Sequence, residues 1–288
     1  MKTFRSTRIS WAAAAYGPTV LSLVAAMVLT GFTASSTAVV PTAVSAEAVQ
    51  EASHNALAAV TPRPAQVLPS RPAPGLIEAS KPLGAPAPLT EPSTEYSFMQ
   101  TNPDSSPVTW DPCRPIHYVT RAANQPADGP EVIKTAIAAV SKATGIVFID
   151  DGATTEAPGF KRLNYQPARY GDRWAPVLIT WAAPGENKQF DGSPALAFGG
   201  SNPAWMDESA ANYVSGEVDL NAGALSNSRF NKTPFKVAVL EHELGHVMGL
   251  AHHEGQLMAA VAKDQEYGYQ AGDLAGLAVL GQGKCLGI

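Results

Sequence analysis

Four of the six histidines in this 288-residue chain fall within twelve residues: His242, His246, His252 and His253. The local run reads His242-Glu243-Leu244-Gly245-His246-Val247-Met248-Gly249-Leu250-Ala251-His252. On a helix, positions i and i+4 lie on one face, a turn apart. His242 and His246 can therefore offer two imidazoles to one ion, with Glu243 beside them to reach a water. A third ligand requires a change of direction. Gly249 permits it, because glycine adopts positive φ without steric cost, and the chain can then return His252 to the same point.

Three neutral imidazole nitrogens with an open fourth position describe a catalytic zinc site rather than a closed structural one. Zinc lowers the pKa of bound water from about 15.7 to about 7 and polarises a carbonyl. Glu243 would accept the water's proton and return it to a leaving amine. The bland alternative is a solvated helix face that happens to read His-Glu-x-x-His. Against it, the longer pattern also fixes the glycine and the third histidine. His253 points away from its neighbour, to the rim or solvent; His54 and His117 are isolated, and a surface or satisfied core role suits each.

Those side chains need a scaffold. A helix is predicted from about Pro234 to Leu250 to carry the motif, and a short closing helix over Gly272–Leu280. Upstream, Ile116–Thr120 is short and β-prone. Gly129-Pro130 opens a helix over Glu131–Lys142, with Val132, Ile133, Ala136, Ile137 and Val140 at helical spacing and Gly145 closing it. Ile146–Ile149, stopped by Asp150-Asp151-Gly152, reads as a buried strand, and Val177–Trp181 as another. Ala195-Leu196-Ala197-Phe198 is a weaker strand ended by Gly199-Gly200. Glu217–Leu220 alternates, as a strand with one wet face would. The order is strand, helix, four strands, then helices, an α+β plan.

Fourteen of the 24 prolines lie between Pro41 and Pro115. Proline has no N–H and a fixed φ, so residues 47–106 read as a Pro/Ala-rich disordered linker or a removable pro-segment. Before it, Lys2, Arg5 and Arg8 precede the apolar run Trp11–Phe32, with small residues beyond. Residues 1–46 therefore read as a secretory signal peptide, with an uncleaved membrane anchor as the alternative. Export to the extracellular space or cell envelope follows, and there Cys113 and Cys285 are expected to pair as a disulfide. A net charge of −5 argues against a nucleic-acid partner, which would require surplus Lys and Arg. A membrane partner follows only from the anchor reading, and a monomer is expected.

The extended His motif resembles the signature of the metzincin zinc peptidases. Met258, six residues past His252, looks like the family's Met-turn beneath the metal. The chain is most similar to the bacterial secreted matrixin-like metalloproteases. Trp110-Asp111-Pro112-Cys113, Asp151-Gly152-Ala153-Thr154 and Gly272-Asp273-Leu274-Ala275-Gly276-Leu277 resemble segments of that group. The resemblance implies a zincin-like domain over 107–288, with a mixed, mostly parallel five-stranded twisted sheet, an active-site helix, a Met-turn and a C-terminal helix. It further implies that Ala195, Leu196, Ala197 and Phe198 form an edge strand that pairs with an extended peptide or protein substrate. Some features depart from the pattern. His253 stands where matrixins usually have Ser, and Ala259-Ala260 replaces the Pro/Tyr wall of their specificity pocket. No histidine set resembles their structural zinc site, calcium is an open alternative without support, and no cysteine switch is present.

The expectation is a secreted zinc endopeptidase with one catalytic Zn2+ on His242, His246 and His252 and with Glu243 as general base and acid. A non-catalytic, zinc-stabilised surface module on a Pro-rich stalk is the competing class, and a zinc hydrolase of non-peptide amides a third.

Overall fold

A computed structural model describes residues 9–10, 71–72, 79–159, 162–205, 210–262 and 268–286. The signal or anchor reading of 1–46 and the first part of 47–106 lie almost wholly outside them. The described residues belong to one compact unit, Met1–Ala15 with Ser70–Ile288, and none of their helices is long and apolar enough to cross a membrane. Ile9–Ser10 pairs antiparallel with Val261–Ala262.

Five strands build one mixed sheet: β1 (Ile116–Arg121), β2 (Phe148–Ala153), β3 (Val177–Ala182), β4 (Ala197–Trp205) and β5 (Ala211–Asn221). They lie in the order β2-β1-β3-β5-β4, all parallel except β4, which runs antiparallel to β5. Parallel neighbours need a crossover. Between β1 and β2 it is α1 (Gly129–Thr144), which starts on Pro130 and ends on Gly145 at φ 73°. Val132, Ile133, Ala136, Ile137 and Val140 form its buried stripe, at the helical spacing read from sequence.

α2 (Thr233–Met248) runs through the core and is buried on nearly every side from Phe235 onward. Its first turn is fastened to the start of α1. Lys236 Nζ donates to Asp128 at 2.6 Å, and so does the Thr233 hydroxyl at 2.6 Å. α3 (Ala271–Leu280) closes the chain and buries Leu277 and Leu280. One core cluster joins the three helices to Ile116, Tyr118, Val177, Ile179, Trp181, Val218 and Leu220 of the sheet.

Three expectations need correction. The strand after α1 starts at Phe148 and runs through Asp150-Asp151-Gly152; Ile146 is buried, but Val147 and Ile149 are exposed. As the outermost strand, β2 has a neighbour on one side only, so the apolar run marked a sheet edge rather than an interior. Gly199-Gly200 does not end a strand but lies inside β4, where extended backbone needs no side chain. β5 has no wet face: almost every residue along it is buried.

The second part of 47–106 hydrogen-bonds to the domain. Ala79 N donates to Cys113 O at 3.1 Å, Leu83 N to Pro112 O at 3.0 Å and Ala87 N to Lys142 O at 3.0 Å. Proline silences only its own amide, so the residues between prolines still dock an extended chain onto the domain.

Candidate metal centre

α2 delivers the first two imidazoles and then stops. Gly249 takes φ 112°, and its N–H reaches back to Gly245 O and His246 O. One exposed last-turn carbonyl would be costly in the core, and two side chains satisfy it: Trp110 Nε1 donates to Val247 O at 2.8 Å and Ser201 Oγ at 2.7 Å. Beyond the reversal, His252 comes back toward the helix as the spacing required.

The three rings meet at their Nε2 atoms. His246 Nε2 lies 3.1 Å from His242 Nε2 and 3.2 Å from His252 Nε2, and one ligand atom from each of the three lies within 4.8 Å of the others. His242 Nδ1 donates to Leu257 O at 2.9 Å and His246 Nδ1 to Leu250 O at 2.7 Å. A carbonyl only accepts, so each proton sits on Nδ1 and the Nε2 lone pairs face one another. Facing lone pairs at that separation repel unless a cation lies among them. Zn–N bonds of ~2.0–2.1 Å in a tetrahedron set nitrogens about 3.3–3.4 Å apart, close to the spacings found. The donor set fits zinc.

Electrostatics keep the ligands ready. Burial, and next the His246 ring, hold His242 well below its ordinary pKa. Burial and His252 bring His246 down to about 3, and burial lowers His252 as well. Neutral imidazole is the form that binds a metal.

Glu243 is 1% exposed, and neither carboxylate oxygen makes a hydrogen bond of ordinary geometry. Burial pushes its carboxyl well above the usual range, opposed by the nearby Gly199 amide. A buried polar group without a partner costs roughly 1–3 kcal/mol. Glu243 follows His242 directly on α2, and its side chain lies against Gly199. Across from it stands Gly199, where a Cβ would come within 2.7 Å of Glu243 Cβ and 2.9 Å of Oε2. The sequence reading saw Gly199 only as punctuation.

Met258 is 1% exposed, and its thioether lies against Gly245, where an added Cβ would force the Met258 side chain to shift. The turn that holds it is pinned by Asp273 in the first turn of α3, whose carboxylate accepts from Leu257 N at 2.8 Å, Met258 N at 3.3 Å and Gln270 N at 2.9 Å. Asp273 was missed as a site residue; an acidic residue opening an apolar helix was the available signal.

Ala197 and Phe198 begin β4, the outer strand on this side of the sheet, whereas Ala195 and Leu196 precede it. Asn221 anchors that pair through Nδ2 to Ala195 O at 3.1 Å and N to Leu196 O at 2.8 Å. All four side chains are buried. Cys113 and Cys285 form the expected disulfide across 172 residues. Asp111 brackets it, accepting from Cys113 N at 2.8 Å and Leu286 N at 3.2 Å. His253 stands apart from the three ligand nitrogens, its Nε2 3.7 Å from Glu95 Oε2. His117 pairs with Asp151 at 2.8 Å on the sheet edge.

No protein-family model matches this chain, and no curated protein matches it. Among solved structures it is similar to high choriolytic enzyme 1 (HCE-1), a hatching enzyme zinc-protease from Oryzias latipes, the Medaka fish, at 14% identity and a TM-score of 0.25. The match covers 57% of this chain and 55% of that one. The chain thus spans about half the length of that neighbour.

Proposed function

We propose that this protein is a zinc-dependent endopeptidase of the metzincin type, similar to the secreted matrixin-like enzymes. One observation carries the reading: the Nε2 atoms of His242, His246 and His252 converge, two of them with their protons held on Nδ1, at a helix that also carries the buried carboxylate of Glu243. A zinc ion held by His242, His246 and His252 supplies Lewis acidity toward a peptide carbonyl and lowers the pKa of water it binds to about 7. The remaining steps belong to the chain's own residues. Leu250 O and Leu257 O fix two of the rings and keep their Nε2 atoms unprotonated. Glu243, whose burial raises its proton affinity, takes a proton from water and gives it to the departing amine. Met258 and Asp273 hold the floor beneath the ligands, and the open edge of β4 near Ala197 and Phe198 offers backbone groups to an extended peptide. The disulfide suits a protein working outside the cell, where a signal peptide over 1–46 would send it.

Glu243→Gln tests the assignment. The amide keeps the shape and loses the base, so zinc should still bind at one per chain while hydrolysis of a denatured protein falls by about 10²–10⁴-fold. Full turnover in that variant would remove Glu243 from the mechanism. Zinc-loaded parent protein that cuts nothing across a broad peptide library would favour the binding module instead.

A further inference from the structure

The turn that carries the third histidine is held by a segment outside the region the sequence assigned to the peptidase. Phe98 forms an antiparallel bridge with Leu250. Met99 N donates to Gly249 O at 2.8 Å, and Ala251 N donates to Ser97 O at 2.8 Å. These two bonds flank Leu250, the residue whose carbonyl orients the His246 ring at 2.7 Å. His252 follows Ala251 directly.

The segment is itself seated. The Tyr96 and Phe98 rings touch, with centroids 5.4 Å apart, and both pack against the core. Gly276 of α3 lies so close to Tyr96 that an added Cβ would come within 3.0 Å of its Cβ. Downstream, Thr101 bridges to Pro107, and Val108 N donates to Gln100 O at 3.0 Å, returning the chain to the domain.

We infer that Tyr96–Gln100 is a positioning element of the metal site: by pairing with Gly249–Ala251 it holds Leu250 O against His246 and sets His252 at the third ligand position. The helix end still takes the Gly249 and Leu250 amides, on Gly245 O and His246 O, whereas Gly249 O and Ala251 N are held by the segment. Removing the segment leaves Gly249 O and Ala251 N to water and frees the backbone on both sides of Leu250. One consequence bears on maturation. A cut that removes residues through 100 would loosen the metal site rather than activate it, so any processing of the Pro-rich region falls upstream of Tyr96.

The inference rests on the zinc reading above, and its test separates the two. Zinc affinity is measured by chelator competition for the full chain and for Met99→Pro, which deletes the N–H donated to Gly249 O. Met99→Ala, which keeps that N–H, is the rescue control. Groups that orient a metal ligand are worth about 10–100-fold in affinity. Met99→Pro should therefore weaken zinc by about tenfold or more, and the Ala variant should stay close to the parent. Equal affinity in Met99→Pro and parent overturns the positioning role; a parent that takes up no zinc overturns the metal site and this inference with it. Should Met99→Pro fail to fold, hydrogen exchange on the parent decides. Coupling is reciprocal, so zinc should slow exchange of the Met99 and Ala251 amides while leaving that of Ala87, bonded to Lys142 O, unchanged. Unchanged protection at Met99 and Ala251 would refute the inference.

Discussion

Glu243 and Gly199 are better understood as a pair than singly. The carboxylate is buried with no hydrogen bond of ordinary geometry, and the space beside it exists because residue 199 has no side chain. A methyl group there would press on Glu243 Cβ at 2.7 Å, on its carbonyl oxygen at 2.8 Å and on Oε2 at 2.9 Å. Turning the carboxylate relieves only one of the three contacts, since the others involve the helix itself. Gly199→Ala should cost about 1–3 kcal/mol in stability, as overpacked cores do. It should also displace the base without touching a zinc ligand. The expected result is a folded variant with one zinc per chain and hydrolysis reduced at least tenfold, measured by metal analysis beside peptide turnover. Parent-level activity would show that the gap is not needed.

At the scale of elements, the interior strand β5 holds a second acidic feature, apart from the three histidines. Asp219 accepts from Thr180 Oγ1 at 2.6 Å and Asn187 Nδ2 at 2.7 Å, and Glu217 accepts from Gly159 N at 2.8 Å. The two carboxyl groups also hydrogen-bond to each other. Burial first, then the charge of Asp219, pushes Glu217 up to about 9. A folded-state pKa above the unfolded one means the native protein binds the extra proton. This stabilisation is complete below the unfolded value near 4.5 and is lost as pH rises toward 9. Glu217→Gln should match the parent near pH 4 and exceed it at pH 9 by ~1 kcal/mol or more, about 2–4 °C in Tm for a domain of this size. Parallel melting curves for the two proteins across that range would refute the idea. Such pairs explain why elements differed in legibility. α1 and α2 could be read because helical spacing, Pro starts and Gly stops are local signals. The convergence of His242, His246 and His252 could be read because two of them share a helix face and the third follows one glycine. Burial of β5 and exposure of β2 depend on which strands lie alongside, which no local window contains. The docking of residues 79–106 depends on partners such as Cys113, Lys142 and Gly249, far along the chain.

At the scale of the whole molecule, one long-range crosslink closes the fold. The Cys113–Cys285 disulfide joins the loop before β1 to the tail after α3. Two residues before Cys113, Asp111 takes one hydrogen bond from each side of the crosslink. Next to Asp111, Trp110 caps the Val247 carbonyl in the last turn of the helix that bears His242 and His246. Packing behind this corner is tight: a Cβ on Gly283 would lie 2.8 Å from Trp110 O. The crosslink therefore acts on two levels. In the unfolded chain it removes the entropy of a loop of 172 residues, about 5 kcal/mol on the entropic account, with measured losses for such bonds of about 2–5 kcal/mol. In the folded protein it keeps the tail against the Trp110 loop, and through that loop it steadies the end of α2. A Cys113→Ser, Cys285→Ser double variant should thus unfold at clearly lower urea concentration, by an amount worth ~2–5 kcal/mol. Because Trp110 reaches the helix through one hydrogen bond rather than through a ligand, zinc affinity should change far less than stability. Urea titration with and without saturating zinc measures both. If the double variant unfolds at the parent's midpoint, the crosslink contributes nothing; if it fails to take up zinc while still folded, the corner and the metal site are one cooperative unit.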